Sequence, residues 1–158
     1  MSQPTAIVFD VGSVRGVGGA VCKSFAREGY HVIVVGRTPA KIDTVVAEIT
    51  ALAVGSAEAL PTDVTDETQV MAAFDRAMSP GTGREPADVV ISNAGNNAVI
   101  DFTQLTAAQF EDFWRVGCYS GFLIGREAAR RCHWAGAPHD THSFKNSREP
   151  SHHEGVHH

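Results

Sequence analysis

The chain is 158 residues long, the size of one domain, and its 43% hydrophobic content is that of an ordinary globular protein. Thirteen Lys and Arg against eighteen Asp and Glu leave a formal charge of −5, which argues against nucleic acid or an anionic membrane surface as the main partner. Cys22, Cys118 and Cys132 are too far apart for a zinc site and read as reduced thiols. Met1 to Thr5 carries no positive charge and no run approaches the ~18 apolar residues of a membrane span, so a cytoplasmic protein is expected, with no metal and no membrane contact.

In chain order, Ala6 to Phe9 is a short apolar run suited to a buried strand, and Gly12 to Gly19 punctuates it. Val17, Val21 and Phe25 then recur at i, i+4, i+8, which predicts one buried helical face. Gly29 ends that helix, and His31 to Val35 is the second strand. Thr38 as N-cap with Pro39 at the first helical position predicts a helix through about Leu52. Ala57 to Pro61 is a weaker strand, and Thr65 or Asp66 caps a third helix running to about Met78. After the loop Pro80 to Gly83, Asp88 to Ile91 is the fourth strand. Thr106 and Gln109 form a capping box that opens a long helix to about Arg131.

Strands alternating with helices predict an α/β fold, a Rossmann-like doubly wound parallel sheet built of right-handed βαβ units. Such a sheet binds ligands beyond the carboxyl ends of its strands, and two clusters, Gly12–Gly18 and Asn93–Gly95, fall at that rim. In the first, the missing Cβ atoms of Gly12, Gly16 and Gly18 let main chain approach a pyrophosphate. The free N–H groups at the helix start attract it.

The composition changes after Arg131. Seven of the eight histidines lie in 133–158, and only Trp134, Phe144 and Val156 there are large and apolar. A domain at 1–131 and a disordered His-rich tail at 132–158 are expected. The tail reads either as a weak binder of Ni²⁺, Cu²⁺ or Zn²⁺ or as a solvated segment without a physiological metal. Its abrupt onset fits a shifted reading frame, an alternative terminal exon or an added segment.

The segment Val11 to Gly18, VGSVRGVG, resembles the T-G-x-x-x-G-x-G loop of the short-chain dehydrogenase/reductase family. Ser92 to Gly95, SNAG, resembles that family's N-N-A-G after the fourth strand. Asp63-Val64 stands where the family contacts the adenine ring. The resemblance covers residues 5–131, with Val11 and Ser92 as departures. It implies cofactor contacts from Gly12, Ser13, Arg15, Gly16, Val17, Gly18, Arg37, Asp63, Val64, Asn93, Ala94 and Gly95. A ribose 2′-OH usually meets a carboxylate after the second strand, and a 2′-phosphate needs a cation there. Gly36-Arg37 occupies that place and Arg15 lies in the loop, so the resemblance implies NADP(H).

The resemblance also implies a catalytic serine, a Tyr-x-x-x-Lys pair and an asparagine on the long helix. Here Tyr30 is followed at +4 by Val34 and Tyr119 by Leu123, and Gly117 takes the asparagine's place. No catalytic residue is therefore assigned. The parent activity implied is NADP-dependent oxidoreduction of a carbonyl or alcohol, with this chain inactive. The family sheet order 3-2-1-4-5-6-7 would be represented by 3-2-1-4 only. Its fourth strand would become an exposed edge prone to aggregation or strand addition. Gly117, Gly121 and Gly125 form a small-residue stripe that would face a partner helix or the chain's own sheet. A homo- or heterodimer through helix 107–131, hence a non-catalytic regulatory module, is one alternative. A frame-shifted or spliced product without function is another.

Overall fold

The computed structural model describes residues 2–79, 81, 83–95 and 98–131. The expectations for the His-rich tail, including Cys132 and metal binding, lie outside the described residues. The elements are β1 (Gln3–Phe9), α1 (Val17–Arg27), β2 (His31–Gly36), α2 (Pro39–Ala51), β3 (Ser56–Pro61), α3 (Glu67–Met78), β4 (Arg84–Ser92), α4 (Ala107–Trp114), a π-turn (Arg115–Tyr119) and α5 (Ser120–Arg131). All pairings in the four-stranded sheet are parallel, in the order β3-β2-β1-β4. This is the expected Rossmann-like α/β arrangement, and it puts every strand's carboxyl end on one rim.

Alternation along the strands sends side chains to two opposite faces. On one face, Ile7, Phe9, Ile33 and Val35 pack with Val70 and Phe74 of α3 and Leu123 and Ile124 of α5. On the other, Val8, Val32 and Val34 pack with Cys22 and Ala26 of α1 and Ile42, Val45 and Ile49 of α2. The result is three layers with two apolar interfaces.

The buried stripe of α1 differs from the expected one. Val17 is 71% exposed, whereas Gly18, Gly19, Cys22 and Ala26 are buried. Closeness decides this. A Cβ on Gly18 would stand 2.9 Å from the Asn93 side-chain nitrogen and 3.3 Å from the Val11 Cα, and one on Gly19 2.7 Å from the Val14 carbonyl oxygen, so the helix start lies against the strand ends and the loop through its glycine side. Val21 and Phe25 flank that contact, partly buried.

β4 begins four residues earlier than expected and carries Pro86. Its register against β1 shifts on either side of Thr5, and the Thr5 hydroxyl donates to the Glu85 carbonyl at 2.6 Å. An irregularity of this kind is where a strand accommodates proline.

The long helix also departs from expectation, being interrupted by the π-turn. The Ser120 N–H donates to the Arg115 carbonyl five residues back, instead of the Val116 carbonyl four back. The Ser120 hydroxyl, fully buried, donates to the Val116 carbonyl that this slip releases. One inserted residue turns α4 by about 100° relative to α5. The stripe of Gly117, Gly121 and Gly125 does not face the sheet: a Cβ on any of the three would meet nothing within 4 Å.

Candidate functional site

The carboxyl rim collects the two glycine-containing clusters, Arg37 and the Asp63-Val64 pair. β1 leaves the sheet through Asp10, whose φ of 59° makes the sharp turn, so this conformation falls on Asp10 and not on Gly12. The Val11 N–H donates to the Val35 carbonyl at 2.8 Å, which holds the loop against the end of β2. The Gly16 N–H then returns to the Ser13 carbonyl at 2.8 Å and closes the loop into a tight turn. Gly12 is exposed and open, with nothing within 4 Å of where a Cβ would stand.

Gly16 is the N-cap of α1 and provides no side-chain hydrogen bond, and the first turn holds no acidic residue. α2 starts likewise, its N-cap Thr38 making no side-chain hydrogen bond and its first turn holding no acidic residue, whereas α3 and α4 differ. Asp66 accepts from the N–H groups of Thr68 and Gln69, and Thr106 and Gln109 form the capping box anticipated from sequence. At α1 the first N–H groups therefore lack a side-chain acceptor, at the positive end of an eleven-residue helix. Val17 is exposed beside them, and Arg15 is exposed on the loop.

Asn93 plays a positioning part. Its N–H donates to the Phe9 carbonyl and its side-chain amide to the Asp10 carbonyl, both at 3.1 Å, tying the end of β4 to the end of β1. The same amide nitrogen would stand 2.9 Å from a Cβ on Gly18, so the glycine lets the Asn93 side chain lie against the helix start. Ala94 packs on the core, and Gly95 is exposed with open space before it.

After β3, Asp63 accepts from both the N–H and the hydroxyl of Thr65, at 2.9 and 2.8 Å, and the Asp63 N–H donates to the Gln69 side chain at 2.8 Å. Val64 is 1% exposed and belongs to the core. Of the pair singled out from sequence, Val64 can offer a ligand main-chain groups only. Arg37 is exposed at the end of β2. It lines a cavity of about 320 Å³ with Thr65, Asp112, Arg115 and Val116. Sequence reading missed Asp112, Arg115 and Val116, because nothing in helical periodicity says which turn of α4 crosses the rim.

Of the residues examined for proton transfer, Tyr30 packs edge-on against Phe25 at 5.2 Å, and Tyr119 is stacked on Trp114 at 5.8 Å and Phe122 at 6.5 Å. Burial pushes the Cys22 thiol up to about 12, so it is an inert core group, and Cys118 is exposed. Among the described residues no cluster of His, Cys, Asp or Glu could hold a metal, and no helix is long and apolar enough to cross a membrane.

This rim can accept an anionic, elongated ligand. Its first part would lie on the glycine loop and the α1 N-terminus, and its far end near Arg37. The family model for short chain dehydrogenase matches residues 6–137. The uncharacterized oxidoreductase YuxG of Bacillus subtilis is 34% identical over 131 residues, which are 82% of this chain and 18% of that protein. The uncharacterized oxidoreductase YgfF of Escherichia coli is 33% identical over 131 residues, 80% of this chain and 50% of its own length. The crystal structure of a short-chain dehydrogenase from Rhodopseudomonas palustris superimposes with a TM-score of 0.68 at 30% identity, covering 80% of this chain and 57% of that one. The chain thus spans half or less of these two curated relatives.

Proposed function

The chain belongs to the short-chain dehydrogenase family, whose oxidoreductases use a nicotinamide cofactor, and from that premise we propose that it is an NADP(H)-binding module that does not turn over substrate unaided. The observation that carries the reading is the side-chain-uncapped start of α1 behind an open glycine loop, flanked by the exposed guanidinium groups of Arg15 and Arg37. The pyrophosphate would lie on main-chain N–H groups between Gly12, Ser13, Gly16, Val17 and Gly18, where the helix dipole favours negative charge. Arg15 and Arg37 would meet the 2′-phosphate, and the residues that follow β2, Arg37 and Thr38, include no carboxylate to favour a free ribose hydroxyl. Asp63 and the Val64 main chain would border the adenine. Asn93, Ala94 and Gly95 would border the path toward the nicotinamide.

When bound, the cofactor supplies a hydride at its nicotinamide. The protein's part would be to move a proton at the substrate oxygen, and neither tyrosine has a lysine four residues on. Both tyrosines are also engaged in aromatic packing. The test is thermal unfolding with increasing NADP⁺ or NAD⁺, together with an NADPH oxidation assay over a panel of carbonyls. A midpoint that rises with NADP⁺ and far less with NAD⁺, without turnover, is expected, because ligand at ~100 times its Kd stabilises by about 2.7 kcal/mol. No shift at millimolar cofactor, an equal shift with both, or measurable turnover would each count against the reading.

A second reading is favoured by the outer face of the last helices. Phe110, Trp114 and Phe122 are 61, 47 and 55% exposed, next to the open glycine stripe. Such a face would suit pairing through 107–131 with a second copy or a longer relative, making the module regulatory. Light scattering coupled to size exclusion separates the two states, and a monomer at all concentrations tested would remove this reading.

A further inference from the structure

We propose that Arg115, carried by the π-turn and absent from either sequence motif, is a specificity-determining residue that pairs with Arg37 on a phosphomonoester at the 2′ position of the bound nucleotide. The proposal rests on the NADP(H) reading and adds to it a residue, a location and a charge count. Arg37 arrives from the end of β2, Thr65 from the loop after β3, and Asp112, Arg115 and Val116 from α4 and the π-turn. Together they line the cavity of about 320 Å³. Two arginines and one aspartate are among its lining residues, a net charge of +1 in a chain whose formal charge is −5.

The two arginines are also unlike most others in the molecule. Arg76, Arg84, Arg126, Arg130 and Arg131 each lie within 4.0 Å of a carboxylate oxygen. Neither Arg37 nor Arg115 has an ion-pair partner among the described residues, although Asp112 lines the same cavity. Arg115 has instead a neutral support: its guanidinium carbon lies 5.7 Å from the centroid of the Tyr119 ring. A cation held over an aromatic face keeps its N–H edges free, and a guanidinium fork matches phosphate oxygens two at a time. The π-turn sets the rotation of this part of the helix relative to α5, which is anchored by Leu123 and Ile124 in the core. Arg115 thus reaches the rim while the following helix stays packed.

The experiment is isothermal titration of the full chain with adenosine 2′,5′-bisphosphate and, separately, ADP. The proteins are the wild type, Arg115→Met and Arg115→Lys, with circular dichroism confirming that each variant is folded. Wild type is expected to prefer the bisphosphate. Arg115→Met is expected to weaken the bisphosphate about tenfold and ADP by less than about twofold, and Arg115→Lys to recover part of the loss. Equal weakening of both ligands by Arg115→Met would overturn the proposal, because it would locate Arg115 against the adenine. A bisphosphate preference untouched by Arg115→Met would overturn it while leaving the NADP(H) reading intact. A wild type that binds neither ligand, or both equally, would overturn that reading and this inference with it.

Discussion

Gly36 and Gly18 show how single atoms set the rim. A Cβ on Gly36 would run into the Val11 carbonyl oxygen and stand 2.8 Å from Ile42 Cγ2, although the backbone there is not in the left-handed region. The glycine is required by proximity, since the loop after β1 crosses directly over the end of β2. Gly36→Ala is expected to lower stability by about 1–3 kcal/mol through overpacking, seen as a lower midpoint in urea. It should also weaken nucleotide binding by displacing Val11. An unchanged midpoint would show that the loop is free to move away. The sequence shows such glycines as punctuation but not what they touch. For the same reason the stripe Val17, Val21, Phe25 misled: a count of apolar side chains at helical spacing rewards bulk, whereas α1 lies close to its neighbours through Gly18, Gly19, Cys22 and Ala26. The Asp63-Val64 pair was half legible. The acidic residue does sit at the rim, but only the packed structure shows the valine facing inward.

Among the elements, α5 has the least obvious support. Its Glu127 is 2% exposed and accepts from Arg130 at 3.1 Å and Arg131 at 3.0 Å. Arg126 and Arg131 also reach Glu67 and Asp75 of α3. Burial works to raise the Glu127 pKa, but the Arg131 and Arg130 guanidinium groups outweigh it and hold the carboxyl below its ordinary 4.5. A carboxylate depressed on folding stabilises above its unfolded value and loses that contribution as pH falls through the folded one. Glu127→Gln is therefore expected to cost about 1–3 kcal/mol at pH 7 and to flatten the stability profile below about pH 4.5. Denaturant midpoints from pH 7 down to 3.5 would check this, and parallel profiles for the two proteins would refute it. The cap at Thr106 was legible, and that of α3 was narrowed to Thr65 or Asp66, because a cap is a local contact between residues two or three apart. The π-turn was not. A one-residue slip in backbone pairing leaves the apolar spacing nearly intact, and Ser120, whose hydroxyl takes up the released carbonyl, reads as an ordinary helix residue. The first half of β4 was hidden by Pro86, which reads as a strand breaker unless an irregular register is known to receive it.

Across the whole molecule, the parallel sheet of βαβ units was legible from the alternation of strand and helix, while its order β3-β2-β1-β4 is what the family resemblance implied. β4 ends that order, so among the described residues one of its sides has no strand beside it. Val89, Val90 and Ile91 are only partly covered there. Association that rises with protein concentration and diminishes when Val89 is replaced by Lys is expected in sedimentation velocity. A single sedimenting species for the wild type across a hundredfold range would contradict it.

The central place of β1 has a consequence for how the chain comes off the ribosome. Its partner on one flank, β2, follows directly, but its partner on the other, β4, is separated from the end of β2 by the stretch between Gly36 and Arg84. At translation rates of about 5–20 residues per second, the innermost ribbon waits several seconds for its second neighbour. During that interval the flank of β1 that β4 later covers has no strand beside it, so Ala6 to Phe9 stay open to pairing with another chain.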